Sequence, residues 1–219
     1  MEKVKARRVI TNQREIKKRI EKDLDLYCQK AIELGASDAR VVSAKGVVVD
    51  ERVRLKCAVP HCHLYGSSPN CPPYTPTPDE VRKALCRYKY AILFKHDVLP
   101  KEDFVDPQQW LKGHEKHQKM THKIASALES LAFNDGYYLA MGFAAGGCKT
   151  ALCGGLPCQF LDSGRCRFPL MSRPSMEGMG IDAFGLAAKV GWEIYPVAHK
   201  NVDQDSISCA VSVGIVFVH

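Results

Sequence analysis

Seven of the ten cysteines in this 219-residue chain fall in two short stretches. Residues 57–71 read CAVPHCHLYGSSPNC, with Cys57, Cys62 and Cys71 spaced by five and nine residues and Pro72 and Pro73 directly behind. Residues 148–166 read CKTALCGGLPCQFLDSGRC and supply Cys148, Cys153, Cys158 and Cys166. Thiols this dense are either oxidised to disulfides or held by a shared ligand, and the compartment decides which. The N-terminus, MEKVKARRVITNQREIKKRI, is basic but has no apolar run of the kind a secretory signal needs. Its Arg7–Arg8 pair lacks the hydrophobic segment of a twin-arginine signal. No stretch approaches the roughly 20 apolar residues of a membrane helix. The expectation is a soluble, cytoplasmic protein whose clustered cysteines bind metal or carry out redox chemistry.

Spacing separates the metal hypotheses. A structural zinc site joins two short C-x2–4-C knuckles across a fold. Cys57/Cys62 and Cys148/Cys153, each with four intervening residues, have that form. Each group, however, continues in series to a third cysteine, and the second to a fourth. That is the style of a cubane iron–sulfur site, where one loop wraps several corners of the cluster. The reading is an iron–sulfur protein with one or two 4Fe–4S clusters; zinc is the alternative, and metal-free thiol redox chemistry stands behind both. The second group can ligate a cubane fully, a state suited to passing electrons to or from a partner protein. The first has three thiols, and its fourth ligand is Cys86, His61, His63 or a non-protein group. With no side chain there, one iron stays open, and a redox enzyme becomes the competing reading. Gly146, Gly147, Gly154 and Gly155 let backbone amides approach the cluster sulfurs. Arg165, Arg167 and Arg173 surround the last cysteine, where they offset the charge of a four-thiolate cluster or bind an acidic substrate or partner.

The remaining sequence builds the support. At 46% hydrophobic residues the chain can bury one sizeable core. The net charge of +7 is concentrated in residues 1–22, which carry nine Lys or Arg against three Glu. No aromatic residues interleave those charges and no nucleic-acid motif follows, so a solvated helix face is preferred to a nucleic-acid surface. Residues 1–35 read as a basic N-terminal helix packed on a metal-binding domain, 36–219.

Asn12, with Glu15 three residues on, predicts a capping box and a helix ending at Gly35. Its stripe is Ile16, Ile20, Leu24, Tyr27, Ala31 and Leu34, with Cys28 beside it as a buried thiol. Residues 39–49 read as one or two strands around Gly46. Thr77-Pro-Asp-Glu opens a short helix to about Tyr88, and YAILFK (90–95) reads as a strand. D-P-Q-Q at 106–109 opens a long helix to about Phe133. Its stripe of Trp110, His114, His117, Thr121, Ile124, Leu128 and Leu131 turns two histidines inward, to ligate metal, move protons or be satisfied by backbone. His122 falls off that stripe and is expected to face solvent.

A strand over 137–145 follows. R-P-S-M-E at 173–177 is expected to start a helix to about Val190, with Glu177 and Asp182 in it needing no catalytic explanation. The C-terminus alternates Ile207, Cys209, Val211, Val213, Ile215 and Phe217 as a strand with one buried face. Strands separated by helices imply one α/β or α+β domain: a mixed sheet flanked by helices, with two cysteine-rich metal-binding loops. A dinucleotide fingerprint, a P-loop and a G-x-S-x-G elbow are all missing, so nucleotide-dependent and serine-hydrolase chemistry has no support.

Four segments carry a resemblance: KCAVPHCHLYGSSPNCPPYTPTPDEVRKAL, YKYAILF, AFNDGYYLAMGFAAGGC and CRFPLMSRPSMEGMGIDAFGLAAKVGW. With the motifs C-P-P-Y-x-P-T and R-P-S-M-E-x-x-G-I-D, the chain resembles an uncharacterised family of cysteine-rich predicted metal-binding proteins from anaerobic bacteria and archaea, over roughly residues 50–219. The resemblance implies metal binding, iron–sulfur in form, with no established reaction, and gives all seven clustered cysteines ligand status. It departs in the second group, where four residues separate Cys148, Cys153 and Cys158 in turn and the family has two.

Overall fold

The run Ala91–Phe94 is wholly buried because its strand has a neighbour on each side and a layer on each face. In the computed structural model, which describes residues 6–197 and 202–219, that strand is β2 (Tyr90–Asp97). It lies between β1 (Asp38–Ser43) and β4 (Val211–Phe217), and β3 (Met141–Phe143) pairs with the far side of β4. All three pairings are antiparallel, with Leu93 opposite Arg40 on one side and Ile215 on the other. The expected helix-flanked sheet is present, but its strands are antiparallel throughout rather than mixed, which makes the arrangement α+β.

Alternation along β2 splits the core in two. Ile92 and Phe94 join a cluster with α1 (Gln13–Glu33) and α5 (Trp110–Asn134). Ala91 and Leu93 join another with α3 (Pro78–Leu85), α8 (Ala183–Lys189) and the segment Met176–Ile181. β4 divides the same way. Val213, Ile215 and Phe217 face the second cluster and Val216 the first. The strand starts at Val211 rather than Ile207, and both its faces are covered, not one. Gly214 lies under the Phe94 ring, where any Cβ would overlap it.

The stripe Ile16, Ile20, Leu24, Tyr27 and Ala31 on α1 is buried as its periodicity requires. Asn12 caps the Arg14 amide at 2.9 Å. Glu15 does not complete a capping box; it pairs with Arg8 at 2.8 Å. Gly35, at φ 111°, ends the helix. Part of the basic N-terminal charge is structural: Arg7 bonds Asp23 at 3.2 Å and Asp135 at 3.1 Å. Tyr27 and Tyr137 donate to those same buried carboxylates at 3.0 and 2.8 Å. Residues 1–5 of the arm lie outside the described residues, as does the Trp110 side chain.

Three elements differ from expectation. A helix, α2 (Glu51–Ala58), precedes the first cysteine loop, capped by Asp50. The strand expected over 137–145 is confined to β3. The helix expected from Arg173 to Val190 is broken: Glu177–Met179 form a 3-10 turn, Gly180 takes φ 79°, and α8 begins only at Ala183. The cause is pairing, since Ala144 and Ser175 form a parallel bridge with Ala144 N–H bonding Pro174 O and Met176 N–H bonding Ala144 O, both at 2.9 Å.

Candidate metal centre

Cys57 sits in the last turn of α2, so the first loop starts from a fixed helix end. Turn hydrogen bonds then set the course: Cys62 N–H to Cys57 O at 3.0 Å, Gly66 N–H to Pro72 O at 2.6 Å, and Cys71 N–H to Ser68 O at 3.1 Å. The Val59–Pro60 and Pro72–Pro73 bonds are cis. Arg54 on α2 donates to the carbonyls of Thr75 (3.1 Å) and Pro76, and buried Thr75 Oγ1 donates to Gly178 O at 2.9 Å. The loop then enters α3 through the expected capping box of Thr77 and Glu80.

The second loop leaves β3 through Gly146 and Gly147 into α6 (Cys148–Cys153), which packs on α5. Thr121 on α5 accepts the Ala145 N–H at 3.2 Å. Gly146 takes φ 66°, in the left-handed region that favours glycine. Gly154 (φ 57°) ends α6, Cys158 stands at the start of α7 (Gln159–Ser163), and Gly164 turns the chain into Cys166. Cys148, Cys153, Cys158 and Cys166 consequently line one pocket, walled by Phe160, Phe168 and Arg167.

The first group lies against this pocket. A Cβ on Gly147 would sit 3.7 Å from Cys71 Sγ. Asn70 bridges the two loops, its amide donating to Ser172 Oγ at 2.7 Å and to Cys148 Sγ at 3.5 Å. Burial pushes the Cys57 thiol up to about 11, with Cys62, Glu177 and Cys71 adding to the effect and Arg54 opposing it. Cys71 is raised by burial and by Cys148 and Cys62, with Ser68 opposing. Cys153 is raised by burial and by Cys148 and Cys166, against Arg167. Neutral thiols are thus stacked beside one another, and a bound metal would replace their protons.

Do these residues fit a metal group? Among the described residues, no three His, Cys, Asp or Glu converge closely enough to hold a single ion. The thiols are arrayed around a pocket instead, and polar hydrogens point at their sulfurs. Asn70 faces Cys148 and the Phe168 N–H faces Cys166 Sγ at 3.4 Å, while Ser68 Oγ near Cys71 is buried with no hydrogen-bond partner. Soft donors around a space, with hydrogen-bond donors aimed at sulfur, fit a polynuclear centre.

Of the other sequence candidates, one arginine reaches the pocket. Arg167 lines the pocket, with Nη1 donating to Pro157 O at 2.7 Å. Arg165 is exposed. Arg173 is engaged by Glu129, Nη2 to Oε1 at 2.8 Å and Nε to Oε2 at 2.9 Å. Cys86 is exposed, its Sγ donating to Lys83 O at 3.2 Å, and His61 packs on Tyr65. Cys209 lies outside β4, half-buried against Glu193 O.

The two histidines of the long helix form their own network. His117 is buried between His96 (3.0 Å) and Asp103 (2.9 Å) of the short helix α4 (Glu102–Val105), and His114 stacks on Phe104 of the same helix with centroids 3.9 Å apart. His122 does not face solvent: it is fully buried, because α5 is covered by the sheet on one side and by α6 and the Arg173 segment on another. Spacing of cysteines gave no hint of Ser68, Asn70 or Glu177; a count of side-chain donors inside the first stretch points to the first two.

A helix-covered antiparallel sheet with seven cysteines on two neighbouring stretches defines a cysteine-rich protein of the α+β class. The chain belongs to the family described as Predicted metal-binding protein (DUF2284), whose model matches residues 40–217. No curated protein and no solved structure matches the chain. Among the described residues, no helix is long and apolar enough to cross a membrane.

Proposed function

We propose that the chain is an iron–sulfur protein that passes electrons to or from a partner. The observation that carries this reading is the single pocket shared by Cys148, Cys153, Cys158 and Cys166, four thiols without a carboxylate or imidazole among them. Cys57, Cys62 and Cys71 would hold a second centre beside it. A 4Fe–4S group would supply one-electron redox chemistry there, and Asn70 and the Phe168 amide would tune its potential through hydrogen bonds to sulfur. Zinc is the weaker reading, because a tetrahedral site with Zn–S of about 2.3 Å needs four ligands drawn to one point.

Support for a partner comes from the surface around the second loop. Leu156, Phe160, Leu161, Phe168 and Leu170 are all exposed, Leu170 to 85%, on the segment that also carries Cys158 and Cys166. Apolar side chains grouped beside a redox centre suit a transient docking face.

The test is iron and acid-labile sulfide on anaerobically purified protein, with EPR before and after dithionite. About eight of each per chain supports two cubanes, and about four supports one. Stoichiometric zinc without sulfide would sink the proposal.

A further inference from the structure

Asp103 on α4, His117 on α5, His96 on β2 and the carbonyl of Gly35 behind α1 form one hydrogen-bonded chain. Asp103 Oδ2 lies 2.9 Å from His117 Nε2, His117 Nδ1 lies 3.0 Å from His96 Nε2, and His96 Nδ1 lies 2.9 Å from Gly35 O. All four ring nitrogens are engaged, so turning either ring over would set C–H groups against its partners. The ring centroids are 5.2 Å apart, as an end-on N–H···N bond requires and too far for a stack.

The two ends of this chain fix its proton count. A carbonyl oxygen only accepts, so His96 Nδ1 carries a hydrogen. An ionised carboxylate only accepts, so His117 Nε2 carries one as well. The middle bond, between His117 Nδ1 and His96 Nε2, needs a third. Two neutral imidazoles have only one N–H each. Without a further proton, two bare lone pairs would face each other at 3.0 Å, with no room for water between them. Placing that proton on Asp103 would also complete the count. The surroundings oppose it: Lys116 Nζ lies 3.3 Å from the same Oδ2, and His117 and Lys116 hold the Asp103 carboxyl below its usual range.

We propose that His96 and His117 form a binding site for one proton, shared between their facing nitrogens at neutral pH, and that this proton latches α4 onto α5 and β2. The other ionisable neighbours are few. Lys116 on α5 is already on Asp103, His114 is stacked on Phe104, and Lys95 and Asp97 on β2 pair with each other at 2.8 Å. Ser37 beside Gly35, and Ser212 opposite His96 on β4, bring no charge. Burial lowers the proton affinity of His117, Asp103 raises it, and His96 and Lys116 lower it. The pair as a unit still holds its proton, because the middle bond exists only when the proton is there.

The sign follows from linkage. A site that binds its proton more tightly in the folded chain stabilises the fold fully below about pH 6.5, and that share is lost as pH rises through the folded midpoint. The latch is closed in mild acid and opens in mild base, whatever the cysteines hold.

NMR of 15N-histidine-labelled protein as purified, titrated from pH 5 to 9 and assigned through His96→Asn, tests it. At pH 7 the pair should show three ring N–H hydrogens, one common to both rings. It should titrate as one group with a midpoint above about 7, a proton affinity at least threefold that of free histidine. Asp103→Asn lets an amide donate to His117 Nε2, so two hydrogens then complete the chain and the pair should be neutral at pH 7. If that variant does not fold, the titration of the unaltered protein decides alone. Amide exchange in residues 102–106, corrected for the chemical rate, should rise at least threefold between pH 6 and 9. Two neutral rings at pH 7 in the unaltered protein would overturn the proposal. So would an imidazolium that survives in folded Asp103→Asn, or exchange in α4 that ignores pH.

Discussion

Cys148 is the thiol on which both groups converge. Buried at the start of α6, it takes a hydrogen bond from Asn70 in the first loop, interacts with Cys71, and lines the pocket of Cys153, Cys158 and Cys166. A Cys148→Ser variant is therefore expected to disturb the whole centre, cutting bound metal by more than half. Cys158→Ser, confined to the pocket, should leave the signal of the Cys57/Cys62/Cys71 group; metal analysis with EPR on both variants checks the difference. His122 gives a second expectation. Its Nδ1 accepts the Arg173 N–H at 3.3 Å, so the proton sits on Nε2, a buried donor with no partner. Desolvation, helped by Arg173, pulls its pKa down to about 4. The unfolded chain, at about 6.5, binds that proton first, so stability falls as pH drops from about 6.5 to 4, by about 3 kcal/mol in all. Asn at 122 keeps an acceptor near Nδ1 and has no titration; denaturant unfolding of His122→Asn from pH 7 to 4 should lose that share of the slope. An unchanged slope would show that His122 is charged or exposed in the folded state.

The elements that were legible are those whose signal is local. The Thr77 capping box, the α1 stripe and the apolar run of β2 each announce themselves within a few residues, and each is present. What failed depended on partners remote in sequence. R-P-S-M-E has a helix-like beginning, yet Ser175 is claimed by Ala144 and the helix is displaced to Ala183. The His122 face of α5 looked solvent-bound until α6, which cysteine spacing alone cannot show to be helical, covered it. The Phe94–Gly214 contact is another such pairing, set by register between β2 and β4. Gly214→Ala should cost about 1–3 kcal/mol by overpacking against the ring. In a Phe94→Leu background the added methyl has room, so the same change should cost less than half as much. Urea unfolding of the four variants of that cycle measures the coupling, and additive costs would mean the ring is not what excludes a side chain.

The whole molecule divides by what holds it. The sheet and its helices are closed by two apolar clusters that include Phe94, Leu93, Ile215 and Phe217 at 0% exposure. The cysteine loops have little of this: α2 and α7 bury no residue at all, and from Gly154 to Leu170 every residue is half-buried or exposed. Cysteines at 57, 62, 71, 148, 153, 158 and 166 are what such loops have in place of a core, and so metal occupancy and loop order should be one equilibrium. Removal of the metal by an anaerobic chelator is expected to raise amide exchange in residues 57–76 and 148–172 by at least tenfold, an opening cost lowered by at least 1.4 kcal/mol. Amides of β2 and β4 should keep their protection, because neither cluster beneath them contains one of the seven cysteines. Hydrogen-exchange mass spectrometry on the loaded and stripped protein decides between three outcomes. Exchange rising only in the loops supports metal as their local staple; exchange rising everywhere would make the metal a condition of the entire fold; no change in the loops would mean that the hydrogen bonds of Arg54, Asn70 and Thr75 suffice to hold them.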